Sequence, residues 1–132
     1  MSAVVDASLL VAAAADAGPE GTWAEEVVAG GSLLAPHLVL AEATNILRRL
    51  EVAGRLTRLE AGAAARDLLQ LDLELLPFAP FAERVWELRG NVTSYDAWYV
   101  AVAEAADLPL ATLDRRLARA DGPRCDFLLS SA

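Results

Sequence analysis

Lysine is absent from the 132 residues: all 11 basic residues are arginines, set against 19 acids. The net charge of −8 argues against a general nucleic-acid-binding surface. Cysteine occurs once, which excludes a disulfide framework within the chain and fits a reducing cytosol. That residue, Cys125, has no partner motif and receives no role. Histidine also occurs once, and His37, beside Pro36, reads as a boundary residue rather than a metal ligand. The longest uninterrupted apolar run, Leu9 to Ala15, is too short to span a bilayer, and no basic segment precedes it. A cytoplasmic location is therefore expected. No G-x-S-x-G, C-x-x-C, P-loop or G-x-G-x-x-G occurs, which removes the usual nucleophile, dithiol and nucleotide-phosphate signatures.

What is present is a chain 55% apolar, long enough for one domain over residues 1–132 with a real core. Periodicity and punctuation give an alternation of short strands and helices. Ala3 to Asp6 reads as a strand ending in an acid. A helical segment follows, then a second helix near Trp23–Ala29 after the Gly18-Pro19 break. Ser32 to Ala35 reads as a strand, and Pro36 as the opening of a helix through about Val52 that Gly54 ends. Thr57 caps a helix running to about Leu71. Leu73 to Phe78 reads as a strand, and Phe81 to Arg89 as a helix stopped by Gly90-Asn91. Ser94 is expected to cap a helix that begins at Tyr95 and is apolar nearly all round. Leu108 to Leu113 reads as a buried strand, Arg115 to Ala120 as a short helix, and Asp126 to Leu129 as a weak final strand. Strands separated by helices indicate a parallel sheet covered on both faces, an α/β class.

In such sheets the functional crevice lies outside the carboxyl ends of the strands. Asp6 and Asp114 both follow strands. Asp96 lies in the first turn of its helix, where an acid also complements the helix dipole, and Asp114 is equally suited to cap the next helix. On the helix after Pro36, Val39, Ala43, Ile46, Leu47 and Leu50 form an apolar face, with Glu42, Asn45 and Arg49 together on its flank. A lone glutamate there would be a solvated boundary residue. Four acids on one rim repel, and some bind protons unless a cation is present. Oxygen donors without histidine or cysteine select a hard ion, Mg²⁺ or Mn²⁺. Such a site can polarise a phosphodiester and generate a hydroxide.

The pattern resembles the PIN-domain ribonucleases, and within them the VapC-type toxins of type II toxin–antitoxin pairs. VVDASLL is similar to their first acidic motif, LAEATNILRR to the second, and SYDAWYVAVAEAADLPLATLDRRLARA to the third and fourth run together. The resemblance covers Val4 to Ala120. It implies an α/β/α sandwich with a four- or five-stranded parallel sheet, an acid-ligated Mg²⁺ or Mn²⁺, cleavage of RNA such as tRNA or rRNA, homodimerisation and inhibition by a small antitoxin. It further implies that Asp6, Glu42 and Asp96 bind the metal directly or through water and that Asp114 completes the ring. Ser8, Asn45 and Thr112 would fix carboxylate orientation, and Arg49, Arg115 and Arg116 would contact phosphate. No acid of the pattern is missing.

Two other readings compete. Phosphoryl transfer to an aspartate also uses acids at strand ends, but the families that do it rely on a lysine, which this chain lacks. In a non-catalytic interaction module of the same fold, the acids would bind only a cation or a basic partner, and the helical pair from Pro36 to Leu71 would offer apolar surface.

Overall fold

The computed structural model describes residues 1–131. Five strands, β1 (Ala3–Val5), β2 (Leu33–Pro36), β3 (Leu73–Leu76), β4 (Leu110–Ala111) and β5 (Phe127–Leu128), form one sheet in the order β3-β2-β1-β4-β5. Every pairing is parallel. The central strand β1 is Ala-Val-Val, completely buried, as expected for a strand with neighbours on both sides and helices on both faces.

Seven α-helices connect the strands: α1 (Ala7–Ala15), α2 (Pro19–Ala29), α3 (Val39–Val52), α4 (Arg58–Gln70), α5 (Ala82–Glu87), α6 (Ser94–Ala106) and α7 (Arg115–Ala118). A 3-10 turn, Ala79–Phe81, precedes α5. The helices α1 to α4 pack on one another, whereas α6 lies against β1, β2 and β4 with α5 beside it. This division follows from the topology. The chain moves outward from β1 to β3, then returns across the sheet to β4. Right-handed crossovers in opposite directions place their helices on opposite faces. The direction reverses between β1 and β4, so the crevice at their carboxyl ends is the expected ligand site of an open parallel sheet. An α/β/α sandwich with five parallel strands results.

Several boundaries differ from those read in the sequence. Pro36 ends β2, in register with Leu76, and α3 opens only at Val39. Pairing with β3 keeps Pro36 extended, and β1 pairs only as far as Leu34, so the missing N–H breaks no bond to it. Thr93, not Ser94, caps α6, its hydroxyl accepting from the Asp96 N–H at 3.2 Å. Strands β3 and β4 are shorter than predicted: β3 stops at Leu76, and β4 begins after Pro109 and ends at Ala111. Thr57 does cap α4, in a reciprocal arrangement in which Glu60 accepts from the Thr57 N–H at 2.8 Å.

Candidate functional site

Asp6 immediately follows β1 and caps α1: its Oδ1 accepts from the Leu9 N–H at 3.0 Å and from the Ser8 hydroxyl at 2.7 Å. The Thr112 hydroxyl donates to Asp6 Oδ2. Thr112, the residue after β4, is fully buried, and its Oγ1 also accepts from the Asp114 N–H at 2.9 Å. The ends of β1 and β4 are thus tied together by one hydroxyl at the point where the chain reverses direction. The Ser8 hydroxyl extends the link, accepting from the Leu113 N–H at 3.5 Å. The Ser8 and Thr112 hydroxyls thus both donate to the Asp6 carboxylate, one to each oxygen.

Asp114 is exposed and caps α7, with its Oδ1 accepting from the N–H groups of Arg116 and Leu117 at 3.0 and 3.1 Å. Asp96 projects from the first turn of α6 and is half-buried. Glu42 projects from the first turn of α3. Its Oε1 accepts from the Tyr99 hydroxyl at 2.6 Å, across from α6. Sequence reasoning missed Tyr99. A tyrosine in an apolar helix reads as core, and no periodicity links it to a residue 57 positions away.

Electrostatics register the crowding of these acids. Burial pushes the Asp96 carboxyl above its ordinary value, and the charges of Asp114, Asp6 and Glu42 push it further. Burial likewise raises the Asp6 carboxyl, with Asp114 adding to it, against the lowering effect of the bonds from Thr112, Ser8 and Leu9. Burial, the bond to Glu42 and the charges of Glu42, Asp6 and Asp96 all raise the Tyr99 phenol, so it remains a donor. Among the described residues the ion pairs are those of Arg84 with Glu87 and Glu104; none of the four crevice acids has an arginine partner.

The other candidates are placed less centrally. Asn45 is exposed on α3 and makes no hydrogen bond to the acids among the described residues, so it does not orient them here. Arg49 and Arg116 are exposed. Arg115 donates to the Ser130 carbonyl, which ties it to the chain after β5 rather than to the crevice. His37 is exposed at the end of β2. Burial pushes the Cys125 thiol up to about 11, consistent with a residue given no chemistry.

The donor set fits a hard divalent ion in chemistry: oxygen ligands of one charge sign, without a protein counter-charge. As the side chains lie, no three of them converge closely enough to hold one among the described residues. Asp6 has both oxygens engaged in hydrogen bonds, whereas Glu42 accepts from Tyr99 on Oε1 alone among the described residues. The residues that would hold an ion are Asp6, Asp96, Glu42 and Asp114.

Residues 3–123 match the family described as PIN domain. Over 127 residues the chain is 40% identical to Ribonuclease VapC1 of Mycobacterium tuberculosis, covering 96% of each chain. Among solved structures, a protein of Pyrobaculum aerophilum, PAE2754, superposes with a TM-score of 0.67 at 32% identity, covering 89% of this chain and 78% of that one. VapBC2 of Rickettsia felis, solved bound to a DNA fragment from its promoter, gives the same TM-score at 17% identity over 98% of each chain, and so shares the fold. A five-stranded parallel sheet with its acids gathered at the β1–β4 reversal, matched over nearly its full length, places this chain in the PIN-domain family, among the VapC proteins.

Proposed function

We propose that the chain is a metal-dependent endoribonuclease and the toxin of a type II toxin–antitoxin pair, cleaving an RNA such as a tRNA or rRNA. One observation carries the reading: Asp6, Glu42 and Asp114 all lie within electrostatic reach of Asp96 at the sheet's reversal point, with no arginine ion-paired to any of the four among the described residues. The relatives named ribonucleases support the activity. A bound Mg²⁺ or Mn²⁺ would polarise the scissile phosphate and lower the pKa of a water. Asp6, fixed on both oxygens, gives the site a rigid base, and Asp96 and Asp114 lie on helix ends that bring further negative charge to it. With no arginine ion-paired to these acids among the described residues, a cation would offset their repulsion of an anionic substrate. Arg49 and Arg116, exposed nearby in sequence, are the candidate phosphate contacts.

The proposed antitoxin would cover α3 and α4. A groove of about 670 Å³ between them has Leu47, Leu59 and Ala65 among its apolar lining and three arginines, Arg48, Arg58 and Arg66, at its sides. Leu59 is 79% exposed. In a chain of net charge −8, this basic-edged apolar groove suits an amphipathic helix with acidic flanks. A basic side chain of the same partner would stand in for the metal near Asp6 and Asp96. We also propose that the chain is a homodimer in solution, which light scattering on the purified protein checks.

The deciding experiment incubates the purified chain with structured RNA and Mn²⁺, with and without EDTA, beside folded Asp6→Asn and Asp96→Asn. Cleavage that needs Mn²⁺ and both aspartates is expected. Undiminished cleavage in EDTA, or by Asp96→Asn, sinks the metal-site reading.

A further inference from the structure

Tyr99 lies just under a turn after Asp96 on α6, its ring sunk in the core with 3% of the residue exposed. Its hydroxyl meets Glu42 on α3, a helix of the other layer, at 2.6 Å. Phenylalanine would fill nearly the same volume, so packing does not account for the oxygen. Nor is the hydroxyl neutral to burial: it is costly there unless bonded, and Glu42 is its partner. Seen from the other side, Tyr99 is the only hydrogen-bond donor to the Glu42 side chain among the described residues. Glu42 is half-buried on a flexible three-torsion stem, whereas the phenol is fixed by the core around its ring. The rigid partner therefore decides where the mobile carboxylate sits.

We propose that Tyr99 is a positioning residue: by holding Oε1 of Glu42 it presents that carboxylate to the divalent cation of the crevice and brings the α3 acid into a site otherwise built from β1, α6 and the end of β4. This rests on the metal-site reading of the four acids. Hydrogen bonds that orient a ligating carboxylate change metal affinity by about 10–100-fold.

The test measures Mn²⁺ binding by calorimetry, and melting in EDTA, for the full chain and for Tyr99→Phe, Glu42→Gln, the double variant and Asp96→Asn. Tyr99→Phe is expected to weaken Mn²⁺ binding by about 10–100-fold, and to add little to the loss already produced by Glu42→Gln. Glu42→Gln probes the same bond from the half-exposed side, so the inference stays testable if Tyr99→Phe fails to fold: Mn²⁺ affinity unchanged in Glu42→Gln overturns it. A Tyr99→Phe protein that melts lower in EDTA yet binds Mn²⁺ as wild type does shows a purely structural hydroxyl and overturns it. Tighter binding does so too, because the phenol would then compete with the ion. Loss of equal size with and without Glu42 means that Tyr99 acts by another route. Undiminished binding in Asp96→Asn is a separate failure, since it removes the metal site itself and the inference with it.

Discussion

Asp96 closes the first turn of α6 with its N–H on the Thr93 hydroxyl, while its carboxylate faces the charges of Asp114, Asp6 and Glu42. A helix-dipole role and a metal-site role make opposite demands on stability. Its carboxyl, raised by burial and by those charges, binds a proton more tightly folded than unfolded. Between the ordinary value of 3.8 and the raised one, stability therefore falls as pH rises, and at neutral pH the ionised group burdens the metal-free fold. Asp96→Asn is expected to melt higher than wild type in EDTA at pH 7, with the advantage vanishing below pH 3.8. A pure dipole acid would instead cost about 0.3–1 kcal/mol when neutralised, so a lower melting temperature in EDTA would make Asp96 structural. Saturation of wild type at a hundred times the dissociation constant of Mn²⁺ adds about 2.7 kcal/mol. At about 3–5 °C per kcal/mol this is a rise of about 8–13 °C, and Asp96→Asn is expected to gain far less. The aspartates were legible in the sequence because strand ends and first helical turns are local features. Ser8 and Thr112 entered only through the family resemblance, on the motifs that carry Asp6 and Asp114. Glu42's partner was not legible, since the bond to Tyr99 exists only once α3 and α6 close over the sheet from opposite sides. Asn45 follows Glu42 by three residues, and spacing alone could not show that it would face solvent.

Away from the four acids, a different kind of contact joins the elements. Arg84 on α5 donates to both oxygens of Glu104 on α6, at 2.7 and 3.1 Å, and to the Gly122 carbonyl at 2.9 Å. Glu104 also accepts from the Arg124 N–H at 2.7 Å, so one carboxylate joins α5, α6 and the loop before β5. Burial pushes the Glu104 carboxyl up, but the bonds from Arg84 and Arg124, and their charges, outweigh it and hold the group below its ordinary value. Its contribution is thus present above the unfolded value of 4.5 and is lost as pH falls through the folded one. Arg84→Ala is expected to cost about 1.5–3 kcal/mol, read from the urea midpoint at pH 7, with the gap to wild type narrowing in acid. A gap that persists unchanged at low pH would mean that lost packing of the arginine stem, not the ion pair, dominates. Element type and order were legible throughout from periodicity. Boundaries failed where pairing overrode a local preference: Pro36 favours a helix start by itself, yet β3 holds it in the sheet.

Over the whole molecule, charge is divided unevenly. Four acids meet at the β1–β4 reversal, whereas Arg48, Arg58 and Arg66, with Glu51, line the α3–α4 groove. The two regions should be separable by mutation. Gly62 lies inside α4, and a side chain begun there would meet only the tip of Arg66, at 3.6 Å. Gly62→Leu therefore grows into the groove without entering the core, and relieves the cost of about 0.5–1 kcal/mol that glycine carries within a helix. A melting temperature equal to or above wild type, unchanged RNA cleavage and weakened antitoxin binding are expected. Antitoxin inhibition as strong as before would place the partner elsewhere. Parallel order and a two-faced core were legible in the sequence, because buried strands and amphipathic helices leave a periodic trace. The groove was not, since it depends on how α3 and α4 lean on each other.

The hydroxyl bridge from Thr112 to Asp6 joins residues 106 positions apart. Until the chain has been synthesised past β4, β1 lacks one of its two neighbours and Asp6 has neither its second tether nor Asp114 beside it. A growing chain therefore carries no assembled crevice until Asp114 has been added, and contacts of such long range close late in folding. For a protein proposed to cut RNA, made by a machine built of RNA, the strand order is itself a form of delay: the newborn chain completes its cutting site only after the residues that follow β4 have emerged.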